Sequence, residues 1–124
     1  MAWQTPKTDW MQGDLVTPAD MIRIGGNLNY LTASTSCRTN YTTDDYVFLS
    51  DWTAIKTAMQ TVMTFIEQPG EIPDDSTTSY NFNLVESFCA DAKPIVDLIR
   101  VQQYANKYAG EFYADNEIYA GGFE

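Results

Sequence analysis

A chain of 124 residues, 44% hydrophobic and 14% aromatic, holds enough apolar material for one core and too little for two. Seventeen acidic against seven basic residues give a formal charge of −10, which repels the phosphates of nucleic acid and the anionic headgroups of a membrane surface. No apolar run nears the roughly 18–20 residues that span a bilayer, so neither nucleic acid nor membrane is an expected partner.

The opening Met1-Ala2-Trp3-Gln4-Thr5-Pro6-Lys7 lacks the basic start and apolar centre of a secretory signal, and synthesis in a cytoplasm without classical secretion is expected. Residues 1–16 read as an entry segment. Thr17-Pro18-Ala19-Asp20 then starts a helix: a hydroxyl cap, proline in the first turn and an acid near the positive helix end. Met21, Ile24, Leu28 and Leu31 follow at steps of three and four, with Arg23 and Asn27 on another face. Gly25-Gly26 interrupts good helix formers and points to a close approach by another backbone. The polar stretch from Thr32 to Asn40, extending to Asp45, reads as a loop.

Ser50-Asp51 is the next expected cap, and Trp52, Ile55, Met59, Val62 and Ile66 form the clearest amphipathic pattern of the chain, ending at Gln68-Pro69-Gly70. Residues 71–79 read as turn and loop. A third helical pattern begins near Asn81 or Phe82 and runs through Val85, Phe88, Cys89, Ala92, Ile95, Val96, Ile99, Val101, Ala105 and Tyr108. Pro94 lies inside it and predicts a kink or break near Ala92 or Lys93. After Gly110 the sequence turns aromatic and is read as a tail that either pairs as a short strand or drapes over the bundle. Thr8-Asp9-Trp10 and Ser50-Asp51-Trp52 echo each other, which capping by aspartate and core packing by tryptophan explain without duplication.

The chain has no histidine, which excludes cysteine–histidine and serine–histidine mechanisms, and no glycine-rich strand-to-helix signature that would cradle a phosphate. Cys37 and Cys89 are expected as buried thiols, with a disulfide open only if the fold joins them in an oxidising setting. Asp44-Asp45 and Asp74-Asp75 read as solvated loop acids, and Asp115-Asn116-Glu117 lacks the spacing of a calcium loop. No cofactor, no metal and no catalytic residue are expected.

Lys93, Arg100 and Lys107 recur at steps of seven, a line that reads as solvated and paired with Asp97, or alternatively as meeting an acidic surface on a neighbouring copy. Tyr104, Tyr108 and Phe112 recur at steps of four, with Tyr113, Tyr119 and Phe123 close behind. So many aromatics at a polar chain end suggest a protein interface, with stacking against a cell-surface carbohydrate as the alternative.

The stretch from Thr5 to Leu31 resembles a pattern of bacteriophage and prophage tail, baseplate and fibre-associated proteins of Gram-positive hosts. That pattern has a Lys-Thr-Asp-Trp entry, here Lys7 to Trp10, then a short loop, a Thr or Asn cap, here Thr17, and a helix reading Asn-Arg-Ile, glutamate, any residue, Asn. Arg23, Ile24 and Asn27 match it, while Ile22 replaces the asparagine and Gly25 the glutamate. The resemblance implies a virion context without chemistry: docking to other virion proteins, and many copies in a symmetric assembly. In the residues themselves, Trp10 is expected to pack on Met21 or Leu28, and Arg23 and Asn27 to hold the entry loop through its backbone carbonyls and amides. The expected architecture is one all-α domain of three or four helices: an entry segment over 1–16, a helical core over 17–109 and a short aromatic C-terminal extension over 110–124.

Overall fold

The structure, a computed structural model, describes residues 3–116, with side chains through residue 106. It is a small all-α bundle: α1 spans Pro18–Thr32, α2 Leu49–Ile66 and α3 Ser79–Asn116, and each helix packs against the other two. No strand occurs among the described residues.

α1 begins where its local chemistry dictates. The Thr17 hydroxyl accepts from the Asp20 amide at 3.2 Å, and the Asp20 carboxylate accepts from the Thr17 amide at 2.9 Å, a reciprocal capping box with Pro18 in the first turn. The helix ends at Ala33, in the left-handed region at φ 53°. α2 starts earlier than Ser50-Asp51 suggested. Phe48 is the cap residue, and Asp51, already inside the first turn, reaches back to accept from its amide at 2.9 Å. α3 also starts earlier than expected, because the Thr78 hydroxyl takes the Asn81 amide and the Thr78 carbonyl the Phe82 amide.

α3 runs unbroken through Pro94, so the expected break does not occur. Pro94 lies on the exposed side of the helix, where water can satisfy the Ala90 carbonyl that has lost its donor, while Ala92 and Val96 on the other side remain packed in the core. The helix also continues through Gly110, so residues 110–116 are helical rather than tail; one glycine costs about 1 kcal/mol, too little to stop a helix flanked by alanine and glutamate. Residues 117–124, including Tyr119 and Phe123, lie outside the described residues.

The core joins Met21, Ile24, Leu28 and Leu31 of α1, Trp52, Ile55, Met59 and Val62 of α2, and Phe82, Val85, Cys89, Ala92 and Val96 of α3. Phe82 sits between two tryptophans, 5.2 Å from Trp10 and 5.7 Å from Trp52, ring centre to ring centre. Both cysteines are buried free thiols, and burial pushes Cys37 up to about 11. The loop between α1 and α2 is organised by Arg38, which binds Asp45, Asp51 and the Tyr46 carbonyl and lies 4.1 Å over the Tyr41 ring.

The two glycines of α1 have different reasons to be there. A Cβ on Gly25 would lie 2.3 Å from the Arg38 carbonyl oxygen, so this helix face meets the loop backbone directly; at Gly26 nothing lies within 4 Å. Gly25→Ala is expected to destabilise the fold by about 1–3 kcal/mol through forced displacement of the loop. Gly26→Ala should stabilise it by up to about 1 kcal/mol through helix propensity. Thermal or urea melts of the two variants read these opposite signs.

Candidate functional site

The residues that carry the sequence motif converge where the entry segment crosses α1 and α3. Their centre is Glu86, a residue the sequence pattern did not single out. Its side chain is 1% exposed and accepts four hydrogen bonds, two at each oxygen. The Lys7 amide at 3.0 Å and Arg23 Nε at 2.7 Å bind Oε1, while Trp10 Nε1 at 2.6 Å and Arg23 Nη2 at 2.7 Å bind Oε2. This fills the acceptor capacity of a carboxylate, and the Arg23 contribution is the two-pronged geometry that guanidinium and carboxylate share.

Trp10 shares the buried core with Met21 and Leu28, and α3 supplies its ring stacking and hydrogen bonds. Its ring packs on Phe82, its indole N–H reaches Glu86, and its backbone amide donates to Asn83 Oδ1 at 3.2 Å. These three partners lie within five residues along α3, so one patch of that helix seats the whole residue. Arg23 departs from expectation. It binds carboxylates instead of backbone, with Asp20 Oδ1 at 2.8 Å completing its set. The Glu86 hydrogen bond raises Arg23 above its ordinary value. Burial alone would raise Asp20, but hydrogen bonds from Thr17 and Arg23 outweigh it and hold the carboxyl below 3.8.

Asn27 does what the sequence predicted: its Oδ1 accepts from the Gln4 amide at 2.9 Å and its Nδ2 donates to the Gln4 carbonyl at 2.8 Å. Asn29 repeats the device with the amide and carbonyl of Cys37 in the following loop.

A second cluster covers the far end of the entry segment. Lys93 binds Asp97 at 2.6 Å and lies 5.5 Å over Trp3 and 5.6 Å over Tyr30. The Tyr30 hydroxyl donates to Asp97 at 2.6 Å, and Arg100 donates to the Leu31 carbonyl at 2.7 Å beside the same tyrosine ring. Lys93 and, next, Tyr30 hold Asp97 below the ordinary carboxylate value. Two members of the expected basic line are thus turned onto α1, while Lys107 lies beyond the described side chains. Of the aromatic candidates, Tyr104 is 71% exposed on α3. Tyr108, Phe112 and Tyr113 stand on the same helix, and their side chains lie outside the described set.

Both carboxylate oxygens of Glu86 are engaged in holding the segments together, which suits a positioning role for this residue. Among the described residues no group of three metal-ligating side chains could hold an ion, and no helix is long and apolar enough to cross a membrane.

The node dictates how stability responds to substitution. Removing Arg23 or Glu86 strands the other charge, and Arg23→Ala or Glu86→Ala alone is expected to cost about 3–5 kcal/mol by denaturant melt. Arg23→Leu combined with Glu86→Leu should cost less than the sum of the two single leucine variants, giving a coupling energy of about 1 kcal/mol or more. A second check is pH. Asp20 and Asp97 have folded values below their unfolded ones, so their contribution is complete above about pH 4 and lost as pH falls through the lowered values. The melting temperature should be level from pH 5 to 7 and drop below pH 4, with a shallower drop in Asp20→Asn. The chain matches no protein-family model, no curated protein and no solved structure.

Proposed function

We propose that the protein is a non-enzymatic structural component of a bacteriophage virion, associated with the tail, baseplate or fibre and docking to other virion chains. The observation that carries this reading is the use made of the motif residues. Lys7, Trp10, Arg23 and Asn27, which resemble the phage pattern, all serve to lock the entry segment onto α1 and α3. A module whose recurrent residues go into fixing its own entry strap is built to present a surface in a set orientation. The absence of histidine from the sequence and the saturation of the Glu86 carboxylate favour presentation over catalysis. The protein is made in the cytoplasm of the host bacterium and incorporated there, several copies per particle.

Mass spectrometry of particles purified from an induced culture of the encoding host is expected to recover the chain at fixed stoichiometry with tail proteins. A chain found only in the cleared lysate, with particles intact without it, would sink the reading. Trp10→Ala, which unseats the strap, should lower incorporation into particles at least several-fold while leaving expression measurable.

A further inference from the structure

The entry segment lies against α1 and α3 and runs opposite to the direction of α1. Trp3 packs on Tyr30, Gln4 pairs with Asn27, and the Lys7 amide meets the Glu86 carboxylate that also binds Arg23. The backbone amides taken by side chains, those of Gln4, Lys7 and Trp10, recur at every third residue, the period at which an extended left-handed chain returns to one side. The seat on α1 and α3 thus reads backbone and one indole, and nothing in these contacts requires the segment and the seat to belong to one chain.

All three helices begin at the same end of the bundle. Trp52 in the first turn of α2 stacks on Phe82 in the first turn of α3 at 5.7 Å, and Val16 and Pro18 beside the α1 cap share a cavity with Val47 just ahead of α2. Residues 11–16 join the entry segment to α1 across this end, where Gln12 and Gly13 share a second cavity with Thr78 and Tyr80. All six are exposed. They reverse the chain through one turn, in which the Asp14 amide donates to the Met11 carbonyl at 3.0 Å, the Met11 amide donates to the Asp14 carboxylate at 2.8 Å, and Gly13 takes a φ of 96°.

Apolar side chains divide along this connection. Trp3 and Pro6 are half-buried and Trp10 is buried, whereas Met11, Leu15 and Val16 stand in water, Leu15 at 85% exposure. Tyr46, Phe48, Leu49 and Tyr80 are exposed at the same end, so seven of the ten large apolar side chains exposed among the described residues gather where the helices start. A patch of this kind marks a contact surface, and the connection that crosses it identifies the occupant.

We infer that two copies meet through this end and exchange entry segments, each segment lying in the other copy's seat. The direction of the chain favours it. Within one chain the segment runs toward the starting end and α1 runs away from it, which forces residues 11–16 to reverse. With a second bundle placed start to start by a two-fold axis, a segment seated on that bundle points toward the first and continues straight into its α1. Six extended residues reach about 20 Å, enough to cross such a contact. The hydrogen bonds and ring contacts of the seat are remade, and only the Met11–Asp14 turn and a 3.7 Å contact between Lys7 and Asp14 open. What is gained is cover for Met11, Leu15, Val16 and the aromatic side chains around them. The contact is two-fold symmetric and closes on itself as a dimer. It rests on the fold alone and stands whether or not the chain belongs to a virion.

A tethered segment faces its own seat at an effective concentration in the millimolar range, so exchange grows with protein concentration. Static light scattering on the full chain should show the mass climbing from 14.0 kDa toward twice that value between about ten micromolar and about a millimolar. The climb should steepen in raised salt, which screens the repulsion between two chains of charge −10. Leu15→Asp, at a site exposed in the single chain, should cut the dimer fraction several-fold without lowering the melting temperature of the dilute protein. Exchange itself is read by complementation. A Trp10→Ala chain keeps a sound seat and a Glu86→Ala chain a sound segment, so the two refolded together at high concentration should give a melting transition several degrees above that of either alone. A mass fixed at 14.0 kDa up to about a millimolar overturns the inference, as does a dimer indifferent to Leu15→Asp. So does a mixture that melts as its two components, which would leave each segment on its own chain.

Discussion

One buried carboxylate sets the terms for the rest of the molecule. Taking a charge such as Glu86 out of water costs several kcal/mol unless donors replace the lost hydration, and here four do, from two segments: the Lys7 backbone and the Trp10 indole of the entry segment, and the Arg23 guanidinium of α1. Because the donors lie on two different stretches, satisfying one residue of α3 places the entry segment and α1 together. The chain of contacts continues from Arg23 to Asp20 and from Asp20 to the Thr17 cap. The middle of α3 is thus tied through side chains to the first turn of α1. A hydrophobic residue at position 86 would remove the desolvation cost, but it would leave the Trp10 indole and Lys7 amide without this acceptor and the strap without a fixed register.

The same problem, irregular backbone laid over a helix, is solved twice more by asparagine. An amide side chain presents one donor and one acceptor in the arrangement of a peptide group, so Asn27 and Asn29 pair with Gln4 and Cys37 as a neighbouring strand would. Both asparagines are buried and lie two positions apart on α1. One α-helix therefore supplies peptide-like partners to the segment before it and to the loop after it. Gly25 adds the close approach that lets the Arg38 carbonyl rest on the helix. Two nearly opposite sides of α1 thus dock backbone, Asn27 the entry segment and Asn29 with Gly25 the following loop, so a short chain orders both connections against one helix.

What was legible in the sequence is what depends on near neighbours. The Thr17 to Asp20 box, the Met21 to Leu31 stripe and the Trp52 to Val62 stripe are local patterns, and the corresponding helices lie where they predict. Pro94 and Gly110 misled because breakers act locally too, but a helix packed over several turns retains enough contacts to absorb one missing donor and one glycine. The α3 partners of Trp10 were not legible for the opposite reason: they are over 70 residues away, and nothing local points to Phe82, Asn83 or Glu86. Glu86 is not singled out by any local motif. Its register held a signal, for it lies four residues after Phe82 and three before Cys89, inside the apolar stripe. A charge in that register calls for an opposite charge on a facing helix, and Arg23 was the cation within reach.

The distribution of cations says what sort of surface is left for a partner. Lys7, Arg23, Arg38, Lys56 and Lys93 each meet a carboxylate of the same chain, and Arg100 meets a carbonyl, so among the described side chains every base is occupied internally. With ten acids in excess, the bundle offers neighbours a predominantly acidic exterior. Exposed ion pairs add little energy, and a −10 chain that approaches another acidic body through its bundle is repelled. On α3, Leu98 and Val101 are exposed apolar side chains. The buried node sets a division of labour along α3: Glu86 with its donors and Val85, Cys89, Ala92 and Val96 bind the bundle to the entry segment, while Leu98 and Val101 further along the same helix stand exposed.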